Sequence, residues 1–531
     1  MKIFQNTNVL DGNADVFEID TERAEYYFSN NDGGIKKIAV LLKDKENLVL
    51  DGQGHTVIFH GRISPFILDN CKNVVIRNLN VRYDRPFYTQ GTILRADKRS
   101  FDLQIDEGFN YRVENGDLHV FGKYWDNDCK KCYILFQEFD RNKKTLAPDA
   151  DVMLGRIGKG AEKDPRSPMP LTLFLAEDLG DRVVRLTADT DLSFRAGNAI
   201  VLTHETRENN IFSITNSKNV RLENICISDG GSMGIMAQLS ENLMMKNISI
   251  RLEADSPKLV TTNCDAAHFV ACSGSLEFHD CVFENMMDDG INVHGIYAEV
   301  VEKQGNEIVL LLKHFQHFSV NFFPENSVLN FYRGHTAEII GRAKVLSSQM
   351  ESESRIRLCL NHAEGIDLGC FAENASFQPD VTIERCSFGN NRPRGVLVTS
   401  KGRVCIDACR FYDAGYGIHI AGDTRFWYES SGVENLTIQN CKFIDCGVQN
   451  TPYSIAILPE YEPSAEAPFF HRNISIRENT FYSFNEGLVI ANGVSHLKIS
   501  GNKFIASTTY PKRSAPDRYV LQNCGDAEVS E

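Results

Sequence analysis

A short pattern of alternating apolar and polar residues recurs along this chain. Each copy has an apolar residue at every second position and a polar pair near its centre. Ten copies are present, beginning at Asn47, Asn73, Asn219, Asn242, Ser275, Asp380, Arg403, Asn435, Asn473 and His496. Alternation with a period of two is typical of β-strands, and the polar pair is typical of a corner. The pattern therefore predicts two short strands joined at a corner in each copy.

The spacing of the copies predicts how they stack. Three pairs of neighbouring copies begin 23 residues apart, at 219 and 242, 380 and 403, and 473 and 496. A second strand type lies between copies, as in Gly290-Ile-Asn-Val and Gly395-Val-Leu-Val, with apolar second and fourth residues. Short strands that repeat every ~20–40 residues, without helical periodicity, are typical of a parallel β-helix. We therefore predict an all-β chain that folds as a right-handed parallel β-helix.

The series of copies is interrupted twice. The gaps span 146 residues between the second and third copies (73 to 219) and 105 residues between the fifth and sixth (275 to 380). Loops of that length rarely lack structure of their own, and both gaps contain β-type runs such as Ser100–Ile105 and Glu307–Leu312. Two inserted β subdomains are therefore predicted. The expected domains are β-helix coils at 1–83, an inserted subdomain at 84–205, coils with the candidate site at 206–297, a second inserted subdomain at 298–376, and coils at 377–531.

Composition narrows the classes of partner. The chain has 531 residues, 42% of them hydrophobic and 24% charged, which are values of a globular protein. Its net charge of −15 argues against nucleic acid or an anionic membrane as a partner and favours a neutral substrate. No stretch approaches the roughly 20 apolar residues needed to cross a bilayer, so we expect no membrane span. The first residues lack the apolar run of a signal peptide, so we expect a cytoplasmic protein, or a secreted or periplasmic one whose signal has been removed.

Four cysteines occupy the same position in different copies, where other copies have leucine or isoleucine. They are Cys281, Cys386, Cys409 and Cys441. A buried free cysteine behaves as a small hydrophobic residue. We therefore expect an inward-facing ladder of reduced thiols rather than disulfides or a metal site.

Three aspartates fall on two neighbouring coils. Asp265 follows Asn-Cys, and Asp288 and Asp289 follow 23 and 24 residues later. An offset of 24 places His268 beside Asn292, facing away from the core, whereas an offset of 23 would bury His268 in the core. With the preferred offset, and adjacent coils ~4.8 Å apart, Asp265 stacks on Asp289. We expect the titrations of such close carboxyl groups to be coupled.

Paired carboxyl groups suit glycoside hydrolysis. One protonated carboxyl serves the leaving oxygen, and inverting enzymes place the other roughly 6.5–9.5 Å away so that it can activate a water molecule. Asp265 and Asp289 would hold and deprotonate the water, and Asp288 would be the acid. The other interpretation is structural, because ladders of aspartate and asparagine also cap turns in β-helices.

At these residues the chain resembles known families. Asn-Cys-Asp, then Asp-Asp, then Val-His-Gly on a β-helix resemble the polygalacturonase-type inverting hydrolases. The chain is more similar still to glycoside hydrolase family 110, on the Asp265…Asp288-Asp289 spacing and the run from Tyr83 to Gly91. This resemblance implies two β-barrel-like insertions and an exo-acting α-1,3-galactosidase on blood-group-B and linear α-galactosyl ends. By it Asp288 is the general acid, Asp265 and Asp289 are the base pair, and neither a cofactor nor a metal ion is expected.

Further residues are expected to complete the substrate pocket. The predicted substrate-binding residues are His268, Asn292, His294, Arg392, Arg394, His419, Trp427 and Glu429. Arg392 and Arg394 could donate to sugar hydroxyls or bind the carboxylate of a uronate. Trp427 has an aromatic face suited to sugar C–H surfaces, but it could equally be a packing residue. The expected partner is a galactose-terminated oligosaccharide or glycoconjugate, and an inserted barrel would offer a surface for a homodimer.

Three other functions stay open on the sequence alone. A polygalacturonase-like hydrolase would use the same aspartates on a uronate. A pectate-type lyase would bind Ca²⁺ among acidic oxygens and use a basic residue to abstract a proton. A carbohydrate-binding solenoid would use the same face without turnover.

Overall fold

The computed structural model describes Val16–Ile19, Glu22–Glu25 and residues 35–150, 152–163, 170–205, 207–449 and 451–530. These residues are organised almost entirely in β-strands, with one short 3₁₀ helix, Phe315–His317. No helix among them is long and apolar enough to span a membrane. The predicted all-β parallel β-helix with two barrel-like insertions is confirmed.

One parallel sheet carries the repeat. In the described part of the chain it contains 19 strands: Val16–Ile19, Glu46–Asp51, Thr56–Phe59, Lys72–Tyr83, Lys218–Ile227, Glu241–Ile250, Ser273–His279, Val282–Glu284, Asp380–Glu384, Ser387–Gly389, Arg403–Asp407, Arg410–Tyr412, Asn435–Gln439, Lys442–Ile444, His471–Arg477, Thr480–Ser483, Val494–Ser500, Lys503–Ala506 and Glu528–Ser530. The corner predicted at the polar pair is present. Asn78, Asn224 and Asn247 adopt left-handed φ angles of 55°, 53° and 52° there. Their side-chain amides bond from coil to coil at 3.0 and 2.9 Å, which explains the preference for asparagine at these corners.

A second parallel sheet, which we call the site face, runs beside the first. Its strands are Ile35–Lys43, Ser64–Asp69, Phe212–Thr215, Ile235–Gln238, Ala267–Val270, Ile291–Gln304, Arg394–Val398, Tyr416–Ile420, Ile455–Ile457, Val489–Asn492 and Tyr519–Gln522, with Glu22–Glu25 antiparallel at one edge. The core of the β-helix contains a stack of four aromatic rings, from Phe388, Phe411, Phe443 and Phe481. The centroids of neighbouring rings in this stack lie 4.7–5.1 Å apart. The four cysteines of the predicted ladder are buried and free, as expected.

The first insertion closes into a seven-stranded barrel. Its strands, in order around the barrel, are Ile134–Asp140, Met153–Ile157, Leu171–Gly180, Val183–Ala188, Ser100–Ile105, Tyr88–Ala96 and Ala199–Thr203. Thr145–Leu146 pairs with one of these strands, and Asn110–Glu114, Asp117–Gly122 and Trp125–Asp128 form a small separate sheet.

The second insertion closes into a six-stranded antiparallel barrel. Its strands, in order, are Ile291–Gln304, Glu307–Leu312, Arg355–Leu360, Ile339–Met350, Val328–Tyr332 and Phe371–Asn374. Ile291–Gln304 belongs to both the site face and this barrel, so the boundary expected at 297/298 falls inside one continuous strand. The short strand Glu429–Ser430 pairs with the same strand at Gly295 and Ile296. The domain boundaries themselves stay predictions.

Candidate active site

The two strands that follow the aspartates pair in the predicted register. Ala267 lies beside Ile291 and His268 beside Asn292, an offset of 24 residues. Ala267 and Ile291 pack in the core of the β-helix, whereas His268 points away from that core, as expected. This register brings Asp265 against the next coil, where its Oδ1 accepts a hydrogen bond of 3.2 Å from the backbone N–H of Asp289.

Asp289 is buried and paired with an arginine. Arg394 donates from Nε to Oδ1 and from Nη2 to Oδ2, both at 2.7 Å, a bidentate ion pair. Burial raises the pKa of Asp289, and Arg394 opposes this shift. The next residue must be a glycine, Gly290, because a Cβ atom at this position would lie 2.4 Å from the carbonyl oxygen of Gly395. Arg394 was predicted to bind the substrate. In the structure, two of its N–H groups donate to Asp289.

Asp265 is the second buried carboxyl group. Burial raises its pKa, and the neighbouring Asp288 carboxylate raises it further, against the effect of Arg207. Its Oδ2 lies 2.6 Å from Nδ1 of His268. A buried carboxyl group with a raised pKa is able to accept a proton near neutral pH.

Asp288 is the accessible member of the three, with 24% of its side chain exposed. Its Oδ2 lies 3.8 Å from Nη2 of Arg207, and its Oδ1 lies 3.9 Å from Nη2 of Arg392. The thiol sulfur of Cys264 lies 3.7 Å from Asp265 and 3.8 Å from Asp288. The site therefore presents one carboxylate to a ligand and keeps two beneath it.

Arg207 is a site residue that the sequence reasoning missed. It lies in the connection between the first barrel and the strand Phe212–Thr215, outside every copy of the repeat. Its Nη1 is buried without a hydrogen-bond partner among the described residues. A charged residue in a short connection that leads to the site face was the only signal available in the sequence.

Two histidines and a glutamate continue the site away from the aspartates. Nε2 of His268 lies 2.8 Å from Nε2 of His294, and the latter lies 3.6 Å from Oε1 of Glu429. Nδ1 of His294 donates to the carbonyl oxygen of Gly295 at 2.7 Å. Oδ1 of Asn292 is buried with no hydrogen-bond partner in the described part of the chain. These side chains form one cluster with Asp265.

Trp427 stands on a loop beside this cluster. The carboxylate of Asp423 accepts hydrogen bonds from the backbone N–H groups of Arg425, Phe426 and Trp427, which fixes the turn of the loop. The residue is 41% exposed, and its ring centroid lies 5.1 Å from that of His314. Trp427 therefore packs on one side and leaves surface free to meet a ligand.

His419 lies two coils beyond Asn292 on the same outward row. It lines a cavity of about 310 Å³ together with Arg392, Arg394, Tyr416 and Gln449. Burial, followed by the charge of Arg394, lowers the pKa of His419 to about 3. The cavity thus extends the site along the β-helix, with a neutral imidazole on its wall.

Comparison with known proteins places this arrangement in a family. An α-1,3-galactosidase A from Shewanella woodyi is 31% identical over 512 residues, which cover 95% of this chain and 81% of the relative. The chain belongs to glycoside hydrolase family 110. An α-1,3-galactosidase B from Bacteroides thetaiotaomicron is 29% identical over 521 residues, covering 95% of this family 110 chain and 82% of that relative.

Matches to individual regions agree with the fold of this family 110 chain. The description "Right handed beta helix region" matches residues 361–511, and "GLAA-B beta-barrel domain I" matches residues 89–200. Among solved structures, a polygalacturonase from Erwinia carotovora aligns with a TM-score of 0.37 and 10% identity, covering 90% of each chain.

The run from Tyr83 to Gly91, part of the family 110 resemblance, lies directly behind the site. The hydroxyl of Tyr88 donates to the carbonyl oxygen of Val260 at 3.1 Å. Nδ2 of Asn263 donates to the carbonyl oxygens of Phe87 at 3.0 Å and Glu205 at 2.7 Å. The start and end of the first barrel therefore fix the turn that carries Asp265.

Proposed function

We propose that this chain is an exo-acting, inverting and metal-independent glycoside hydrolase that removes terminal α-1,3-linked galactose from glycans of the blood-group-B or linear α-galactosyl type. Membership of family 110 supports the reaction class. The observation that carries the proposal is the trio of aspartates, in which Asp265 and Asp289 are buried side by side and Asp288 is partly exposed.

The different exposure of the three carboxyl groups supports different catalytic roles for them. Asp288 would donate its proton to the glycosidic oxygen, because it is the carboxyl group that a ligand reaches. Asp265 and Asp289 would hold a water molecule, and Asp265 would take its proton, since burial raises its pKa. Attack by that water on the face opposite the leaving group inverts the anomeric carbon.

The surrounding polar groups suit a neutral sugar. Among the described residues, Nη1 of Arg207 and Oδ1 of Asn292 are buried without a partner, so the first would donate to a galactose hydroxyl and the second would accept from one. Trp427 would stack on the apolar face of the ring. Arg392, His419 and the cavity beside them would hold the rest of the glycan.

The proposed specificity predicts a defined pattern of hydrolysis. The substrate panel contains oligosaccharides with a terminal α-1,3-linked galactose, both with and without a neighbouring fucose, together with α-1,4-, α-1,6- and β-linked galactosides. We expect free galactose from the α-1,3-linked substrates and none from the others. Product analysis by chromatography provides the measurement, with the Asp288→Asn variant as the inactive control on the natural substrates. Release of uronic acid from a polyuronate, or no turnover on any galactoside, would contradict the proposal.

The inverting mechanism predicts β-galactose as the first product. Activation of water by Asp265 and Asp289, rather than direct attack by a carboxylate, gives a single displacement. Proton NMR of a fresh digest, recorded before mutarotation, reports the anomer directly. An initial α signal would show that a carboxylate attacks the anomeric carbon and that the water-holding role is wrong.

A further inference from the structure

Two buried imidazoles and a carboxylate converge beside the catalytic aspartates. His268 and His294 stand on adjacent strands, and both are 3% exposed. Their Nε2 atoms are 2.8 Å apart, and Oε1 of Glu429 lies 3.6 Å from that of His294. All three atoms lie within 4.8 Å of one another. A third buried imidazole, His317, has its ring centroid 6.5 Å from that of His294.

The other nitrogen of each imidazole determines what these Nε2 atoms can do. Nδ1 of His294 faces the carbonyl oxygen of Gly295, which only accepts, so this nitrogen carries the ring proton. Nδ1 of His268 lies 2.6 Å from Oδ2 of Asp265. This buried nitrogen makes no hydrogen bond to Asp265 or to any other described group.

A neutral imidazole holds one ring proton. In the tautomers that carry this proton on Nδ1, the two Nε2 atoms direct their lone pairs into the same space at 2.8 Å, with the carboxylate of Glu429 nearby. A cation in that space would meet all three atoms. Metal-bound histidines characteristically donate from their second nitrogen to a carboxylate or a backbone carbonyl, as His294 does to Gly295.

The geometry and the ligand types select the kind of ion. Two nitrogens 2.8 Å apart fit metal–nitrogen bonds of about 2.0–2.1 Å that meet at about a right angle, which is the angle of an octahedral rather than a tetrahedral site. Two imidazoles and one carboxylate occupy one side of a coordination sphere and leave positions open for water or a sugar hydroxyl. Imidazole ligands favour Zn²⁺, Co²⁺ or Ni²⁺, whereas Ca²⁺ and Mg²⁺ require oxygen ligands.

We propose that His268, His294 and Glu429 form a binding site for one divalent transition-metal ion of the Zn²⁺ type, and that the bound ion inhibits the hydrolase. The ion would occupy groups that are expected to meet galactose hydroxyls, so inhibition would be competitive with substrate. It would also hold His268 on Asp265 and keep that carboxylate from the water. Binding is independent of the proposed function, whereas inhibition rests on it.

Cobalt provides a readout of the site that does not depend on activity. The chelator-treated full chain is titrated with Co²⁺ and followed by its visible absorption bands, and Zn²⁺ is then added to displace Co²⁺. We expect one ion per chain with micromolar or tighter affinity. On an aryl α-galactoside, the chelated enzyme should be fully active, one equivalent of Zn²⁺ should inhibit it, and renewed chelation should restore it.

Variants test which residues bind the ion. Glu429→Gln, which keeps the shape of the side chain, and His268→Ala should each weaken Co²⁺ binding at least tenfold. Asp265→Asn keeps all three ligands and changes only the partner of His268, so a loss of about 10–100-fold is expected. His279→Ala is the matched control, because His279 lies 3.3 Å from Glu277 and 3.2 Å from Glu384 but outside the site. Its Co²⁺ binding should equal that of the parent.

Each outcome decides between the alternatives. Weak binding of several ions that is unchanged in both Glu429→Gln and His268→Ala would overturn the site. Loss of activity on chelation would overturn the inhibitory role, because the ion would then be required. One tightly bound Co²⁺ in a chain that hydrolyses no α-galactoside would support the site and refute the proposed function. Thermal transitions of all variants establish that they are folded.

Discussion

Replacing Asp288 with asparagine should slow the cleavage of natural α-galactosides far more than that of an activated aryl galactoside. A sugar leaving group needs a proton from the acid, whereas a phenolate leaves with little help. General acid assistance contributes roughly 10²–10⁴-fold, so we expect a loss of that size on the oligosaccharide and a smaller one on the aryl substrate. Steady-state rates on both substrates provide the measurement.

The two buried aspartates supply the matched comparison. Asp265→Asn and Asp289→Asn should impair both substrates alike, since water must be activated whatever group leaves. Each variant must keep the thermal transition of the parent, because Asp265 also accepts the backbone bond from Asp289. Equal losses on both substrates for Asp288→Asn, with the aryl substrate spared by Asp265→Asn, would reverse the assigned roles.

Replacing Lys401 with methionine should lower the free energy of unfolding by about 3–5 kcal/mol, the usual cost of leaving a buried charge without its partner. Nζ of Lys401 donates to Oε2 of Glu373, whose side chain is fully buried, and the hydroxyl of Tyr332 donates to the same oxygen at 2.7 Å. This network joins the second barrel to the β-helix. Chemical denaturation measures the loss, and most of it should return when Glu373→Gln is added.

An exposed ion pair offers the control for Lys401→Met. Nζ of Lys218 lies 2.7 Å from Oε1 of Glu241, and the two side chains are 46% and 40% exposed. Lys218→Met should change the free energy of unfolding by only about 0–1 kcal/mol. Equal losses from Lys218→Met and Lys401→Met would show that burial of Glu373 does not matter.

The loss from Lys401→Met should also depend on pH. Burial disfavours the charge on Glu373, but Lys401 and the hydrogen bonds from Tyr332 and Asn330 outweigh it and lower the pKa of Glu373. The stability that this group contributes is therefore complete above its unfolded pKa, near about 4.3, and is lost as the pH falls through its lower folded pKa. Without Lys401 burial raises that pKa, so the difference between variant and parent should narrow on acidification.

The β-helix was predictable because its information is local. Alternation in each copy determines which side chains face the core, and asparagine at the corners reports the left-handed backbone that a corner needs. The register between the coils followed from a single residue, since only an offset of 24 keeps His268 out of the core. Closure of the barrels was not derivable in this way. Pairs such as Leu135 with Thr203 join distant strands whose composition does not specify a partner.

The site was predictable where it follows the repeat and not elsewhere. Asp265 and Asp289 stack because they occupy equivalent positions on adjacent coils. Arg207 reaches Asp288 from a connection after the first barrel, so its position depends on how the chain leaves that barrel. The two bonds from Arg394 to Asp289 join residues 105 positions apart, and the length of the second insertion conceals their proximity in the sequence.

The strand Ile291–Gln304 makes the second barrel inseparable from the chemistry. Asn292 and His294 occupy its first residues, while the stretch from Tyr297 onward pairs within the barrel. A slip of this strand by one residue in its pairing register would turn His294 into the core and bring an apolar neighbour to the surface of the site. The barrel of one relative could therefore replace that of another only if the register of this shared strand is kept. Insertions or deletions in this strand should therefore involve an even number of residues, which keeps each side chain on its own face. The loops of the barrel can diversify freely, whereas its first strand cannot.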